Sequence, residues 1–244
     1  METELCAYSL EACETARRAG VTRVELCASP WEGGVTPSAA AVGMARRIGG
    51  LQLSVMIRPR GGDFLYTDGE FRQLLEEVRF AREAGADCIA VGVLTADGRV
   101  DAARMTEVMA QAGGMEVTFH RAFDLVRDRR EALETLVGLG CRRVLTSGGR
   151  ATAAEGIDQV RALVGQAAGR IAVMAGSGVK PSNARMLAAT GVDALHFSAR
   201  LLRESGMTYR NPDVSLGGVP GVPEYASVGA DEAMIRQILF QIER

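Results

Sequence analysis

Residues Gly20-Val21-Thr22-Arg23-Val24-Glu25-Leu26-Cys27 decide the fold. A glycine of the kind that stops a helix is followed, four positions on, by an apolar residue inside a short β-prone run,. The same beat returns as Gly85 with Ile89, Gly140 with Val144 and Gly191 with Leu195, a weak internal repeat of a helix–turn–strand unit,. Between these copies, apolar runs alternate with amphipathic stretches, the pattern of βα units around a parallel sheet. Eight strands are expected, near residues 2–6, 23–27, 53–57, 88–93, 116–120, 143–146, 171–175 and 194–197. Eight units in 244 residues make an α/β, single-domain (β/α)8 TIM barrel spanning the whole chain,. A doubly wound open sheet would normally carry a glycine-rich nucleotide loop after its first strand, and Cys6-Ala7-Tyr8-Ser9 is not one,.

Local signals support the helices. Thr67 with Glu70 and Thr152 with Glu155 read as capping boxes, and Pro37 and Pro181 suit first-turn positions,. Ile235, Ile238, Leu239 and Ile242 form one apolar face of a last helix near 231–243,. The Gly/Pro-rich stretch at about 206–229 is too long for an ordinary connection and reads as a functional loop or a subunit contact,.

Composition narrows the function. With 28 basic against 30 acidic side chains the net charge is −2, which argues against a nucleic-acid partner,. No apolar run approaches the ~18 residues of a membrane span and no export signal is visible, so a cytoplasmic protein is expected. The five cysteines are irregularly spaced, as suits reduced thiols in the cytosol,.

Strand alternation locates the site. If Val24, Ile89, Val144 and Leu195 face the helices, then Glu25, Ala90, Leu145 and His196 point inward, with Cys27, Gly92, Ser147 and Ser198 one layer higher,. On the other strands Cys6, Met56, Arg58, Thr118, His120, Met174 and Gly176 point inward. Barrel enzymes keep their chemistry at the carboxyl ends of strands, and both histidines of the chain land there,. Glu25, His120 and His196 are acid/base candidates with Arg58 as anion clamp and Asp124 beside them,. Arg60, Ser147, Gly176, Ser177, Gly178 and Ser198 are candidates for holding a phosphate or other anion on loops and backbone amides,. The bland alternatives are a buried Glu25–Arg58 ion pair and histidines that merely fill the core. Cys6 and Cys27 end adjacent strands, which run about 4.8 Å apart, so two inward thiolates could share a soft ion such as Cu(I),. Buried cysteine is also an ordinary small hydrophobe, and no zinc-type spacing is present,.

Several long motifs carry a resemblance. Arg23-Val24-Glu25-Leu26-Cys27, Gly33-Gly34-Val35-Thr36-Pro37-Ser38 and Met56-Ile57-Arg58-Pro59-Arg60-Gly61-Gly62-Asp63-Phe64 occur in order. They are followed by Thr118-Phe119-His120-Arg121-Ala122-Phe123-Asp124, Leu145-Thr146-Ser147-Gly148-Gly149 and His196-Phe197-Ser198-Ala199. From residue 5 to about 212 the sequence resembles the CutC copper-homeostasis family. The resemblance implies a cytoplasmic TIM barrel, commonly a homodimer or higher homo-oligomer, that handles copper and binds Cu(I) through cysteines matching Cys6 and Cys27. It leaves the Arg, His and Asp constellation without a role. The alternative reading is an enzyme acting on a small anionic or phosphorylated metabolite.

Overall fold

The helix-stopping glycines behave as the repeat requires. Gly20, at φ 88°, ends α1 (Leu10–Ala19) by donating its N–H to the carbonyls of Ala16 and Arg17, and the chain enters β2 (Arg23–Leu26) three residues later. Gly85, Gly140 and Gly191 take the same left-handed conformation, which costs a residue without a Cβ least,. The computed structural model describes residues 1–214, 216 and 221–243. Among them β1 (Glu2–Ala7), β2, β3 (Gln52–Met56), β4 (Cys88–Val91), β5 (Glu116–Phe119), β6 (Arg143–Thr146), β7 (Ala172–Gly176) and β8 (Ala194–Phe197) close a parallel barrel in chain order. The seam pairs Glu4 of β1 with His196 of β8.

Around it lie α1, α2 (Ala39–Ile48), α3 (Asp68–Glu83), α4 (Ala102–Ala112), α5 (Arg129–Leu139), α6 (Ile157–Ala167), α7 (Pro181–Ala188) and α8 (Glu232–Ile242). Period-2 alternation splits each strand. Leu5, Val24, Val55, Ile89, Val117, Val144, Val173 and Leu195 join one large apolar layer under the helices, each worth about 1.5–3 kcal/mol of burial. Inside the barrel the apolar contacts are two small groups, Cys6, Cys27, Met56 and Ala90, and Leu145, Met174 and Ala194. The amino-terminal end is plugged by charge instead: fully buried Arg23 bonds Glu4, Glu2 and Gln52, while Arg143 bonds Glu116 and Thr118. The charges are paired, as burial demands.

Three local expectations are corrected. Pro37 precedes the N-cap Ser38 and stands outside the first turn of α2. Thr152 accepts from the Glu155 amide at 3.3 Å, yet it caps a short turn, and α6 starts later behind Gly156. Thr67 with Glu70 is a full capping box at α3, and Pro181 opens α7. The described part of the stretch at 206–229 is not all loop: its residues 226–229 belong to β10 (Ala226–Ala230), which pairs antiparallel outside the barrel with β9 (Arg200–Glu204), a strand that precedes the stretch. Residues 215 and 217–220 of that stretch lie outside the described residues. Ala226-Ser227-Val228-Gly229-Ala230 has too little apolar alternation to announce a strand,. No helix among the described residues is long and apolar enough to cross a membrane.

Candidate functional site

At the carboxyl ends of the strands the barrel opens into a cavity of about 410 Å³, within the ~300–1,000 Å³ range of small-molecule sites. Its floor follows from register. Glu4, Cys6 and Tyr8 alternate along one side of β1, and β1 sits between β2 and β8, so Cys6 lies opposite Glu25 and Glu4 opposite His196. Gly176 is the β7 neighbour of His196. A Cβ there would stand 2.6 Å from Leu145 Cδ1 and 3.2 Å from His196 Cβ, so only glycine leaves the imidazole its place.

Cys27 continues the β2 ladder by one residue, donating its amide to the Ala7 carbonyl at 2.9 Å. That brings its Sγ to 3.7 Å from Cys6 Sγ. The Cys27 thiol also lies 3.4 Å from Glu25 Oε2. His196 is held through Nδ1, 2.8 Å from Glu4 Oε1, while Nε2 faces Glu25 Oε2 at 3.8 Å, an ion-pair distance too long for a hydrogen bond,. One donor atom from each of Cys6, Glu25 and His196 falls within 4.8 Å of the others.

The electrostatics are those of a thiolate–imidazolium cluster. The hydrogen bond from Cys27, with help from His196, holds the Cys6 thiol well below its usual range against the effect of burial. Burial, followed by the neighbouring Cys6, pushes Cys27 well above it. Burial alone would discharge His196, yet Glu25, Cys6 and Glu4 together hold it well above the imidazole range. Burial lifts Glu25 to about 8, whereas Glu4, although buried, is held at about 2 by His196 and Arg23. A low thiol pKa supplies the thiolate that soft metals bind.

The other predicted residues divide. His120 lines the cavity, and its Nδ1 accepts the Ala122 amide at 3.2 Å while its ring packs on Phe64 at 4.8 Å. Burial, then the charge of Arg58, lowers it to about 3, so the imidazole is neutral. Gly92 makes room for it, since a Cβ at that position would come within 2.7 Å of the ring. Arg58 also lines the cavity, but its terminal nitrogens donate to the carbonyls of Glu32, Gly34 and Gly62 at 2.7–2.9 Å. Among the described residues no ion pair joins it to Glu25. Ser177, Gly178 and Ser198 stand on the cavity wall, with Gly176 just beneath.

Asp124, Ser147 and Arg60 are placed elsewhere. Asp124 accepts from Thr146, from the amides of Ser147 and Gly149, and from Arg121, which ties the β5 and β6 ends together. Ser147 is buried beneath it. Arg60 pairs with Glu70 at 2.6 Å beside Tyr66. Sequence reasoning overlooked Glu4, Tyr8 and Arg200. The first two share the side of Cys6 by simple alternation, so the signal was present. Arg200 reaches the site from β9, donating to Tyr8 Oη at 2.8 Å, and no local pattern announces that.

The CutC family model matches residues 1–201. The chain belongs to the CutC family. It is 49% identical over 224 residues to a CutC family protein of Bacteroides thetaiotaomicron, covering 91% of this chain and 90% of that one. It is 46% identical over 236 residues to one of Chromobacterium violaceum, covering 96% and 95%. Among solved structures it resembles a CutC of Streptococcus agalactiae whose name provisionally assigns it to copper homeostasis. That likeness has a TM-score of 0.78 and 33% identity and covers 81% of this chain and 98% of the other. The closed barrel is therefore the fold of a CutC family member, and the family match ends where β9 begins, leaving most of the β9–β10 hairpin and α8 outside it.

Proposed function

We propose that this CutC family chain serves copper homeostasis by binding Cu(I) at the floor of the barrel mouth, through Cys6 and Cys27. One observation carries the reading: the two sulfurs are 3.7 Å apart, less than twice a metal–thiolate bond of about 2.3 Å. Both can reach one ion without moving the backbone. His196 stands within 4.8 Å of the Cys6 donor, which makes its imidazole a further candidate ligand on the Cys6 side of the pair, and its Nδ1 bond to Glu4 is the carboxylate support that metal-bound imidazoles commonly have,. Two thiolates and an imidazole form a soft donor set that suits Cu(I). Binding displaces the Cys27 proton and the proton on His196 Nε2, so affinity rises with pH.

The test is an anaerobic titration of reduced protein with Cu(I) against a competing chelator. One ion per chain is expected, abolished by Cys6→Ser and by Cys27→Ser and retained in Cys141→Ser, whose thiol lies outside the barrel interior. Unchanged affinity in the Cys6→Ser, Cys27→Ser double variant would end the proposal. By its resemblance to the family, the protein is further proposed to act in the cytoplasm as a homo-oligomer. Analytical ultracentrifugation at micromolar concentration tests the second point, and a single monomer species would refute it.

A further inference from the structure

The cavity is larger than a copper site needs, and residues in its walls carry buried hydrogen-bond donors that the fold does not use. His120 Nε2 and Arg58 Nε are buried with no partner, on side chains that are 3% and 7% exposed. Both side chains line the cavity and both pack on Phe64, one with its ring and one with its guanidinium. Both therefore border the same ring in the cavity wall. With Nδ1 of His120 already accepting the Ala122 amide, Nε2 is the ring's protonated donor,. Buried donors in native proteins nearly always find an acceptor.

Across the mouth a second set of donors is open. Ser177 and Gly178 turn at φ 78° and 69°, and Ser198 precedes Ala199 at φ 41°. Left-handed serine and alanine are uncommon and cluster at functional sites. Ser177 is held in that turn by its hydroxyl, which donates to the Ala151 carbonyl at 2.8 Å, and by its own carbonyl, which accepts the Ala153 amide at 3.0 Å. Among the described residues, the amides of Gly178, Val179 and Ser198 donate to no acceptor of the chain, and all three residues line the cavity. The rim after β7 and β8 is where barrels commonly hold phosphate.

We propose that the cavity binds a small organic oxyanion, its anionic head on the amides of Gly178, Val179 and Ser198 and a carbonyl or hydroxyl oxygen received by His120 Nε2 and Arg58 Nε. The ligand is a metabolite with an anion at one end and an acceptor oxygen at the other. Phe64 and Val179 cover its carbon chain. The site uses other residues of the same cavity than the thiol pair, so it does not rest on the copper reading.

The experiment uses reduced, metal-free, ¹⁵N-labelled protein with a chelator present, titrated separately with inorganic phosphate, glycerol 3-phosphate and glycerate while amide shifts are followed. Saturable shifts at Gly178, Val179 and Ser198 are expected, and comparing the phosphate ester with the carboxylate identifies the head group. His120→Asn keeps an acceptor for the Ala122 amide but removes the Nε2 donor. It is expected to weaken the better three-carbon ligand about tenfold and to leave inorganic phosphate, which cannot span the cavity, unaffected. His120→Gln, which can present an amide N–H near the position of Nε2, should recover part of the loss. The proposal is overturned if none of the three probes shifts those amides in the wild-type protein at millimolar concentration. It is also overturned if His120→Asn binds the three-carbon ligand as tightly as wild type.

Discussion

Glu4→Gln tests how far the floor of the site depends on one carboxylate. Glu4 is 1% exposed and serves two donors, His196 Nδ1 at 2.8 Å on one oxygen and Arg23 Nε on the other. A carboxamide has one acceptor oxygen, so the substitution turns an N–H of Gln against one of those donors and removes a fully buried counter-charge of Arg23,. Breaking a buried pair by deleting one partner costs about 3–5 kcal/mol. Because Glu2 and Gln52 still accept from Arg23 at 2.9 and 3.3 Å, the lower end, about 3 kcal/mol, is expected. The displacement of the carboxylate pKa by the same partners leads to a similar figure. Glu4 is held at about 2 instead of 4.5, a displacement worth about 3 kcal/mol at neutral pH. Its folded pKa is depressed, so this stability is present above pH 4.5 and is lost as pH falls towards 2. Wild type and Glu4→Gln should therefore differ by about 3 kcal/mol in urea unfolding at pH 7, at equal m value, and converge in acid. Loss of the outer partner of His196 should also weaken Cu(I) about tenfold. A stability loss below about 1 kcal/mol with unchanged Cu(I) affinity would refute this account of the floor.

Further outcomes follow from the same geometry. Because the folded pKa of His120 is lowered from 6.5 to about 3, only the unfolded chain takes up this proton between those values. Stability should fall by about 1.4 kcal/mol per pH unit from this residue as pH drops from 6.5 to 3. His120→Asn should remove that part of the slope, and parallel urea midpoints for the two proteins across the range would contradict it. Treatment with diamide should join Cys6 and Cys27 as a disulfide, lowering the thiols counted after denaturation from five to three and eliminating Cu(I) binding. Five remaining thiols would show that the pair cannot close. Asp124→Ala strands several buried donors at the β5–β6 ends and should lower stability by about 3 kcal/mol, and a thermal melting point within about 1 °C of wild type would argue against that bracing role.

The barrel, the inward set Cys6, Glu25, His120 and His196, and the outward set Val24, Ile89, Val144 and Leu195 were legible because they depend on local order. A glycine stop and a period of two assign each strand residue to a face whatever the rest of the chain does. Tertiary structure alone decided which inward groups meet. Glu4 and His196 are 192 residues apart and touch only because β1 pairs with β8 at the seam in that register. The loops were equally closed to sequence reading, since no periodicity governs where an irregular backbone sends its carbonyls. Thus Arg58, expected as a free clamp, gives its terminal nitrogens to Glu32, Gly34 and Gly62, and Asp124 turns from the mouth to brace β6. The β9–β10 hairpin that brings Arg200 to Tyr8 is likewise set by pairing across a long connection. Local pattern fixes the face of a residue, and only long-range register and loop hydrogen bonding fix its partner.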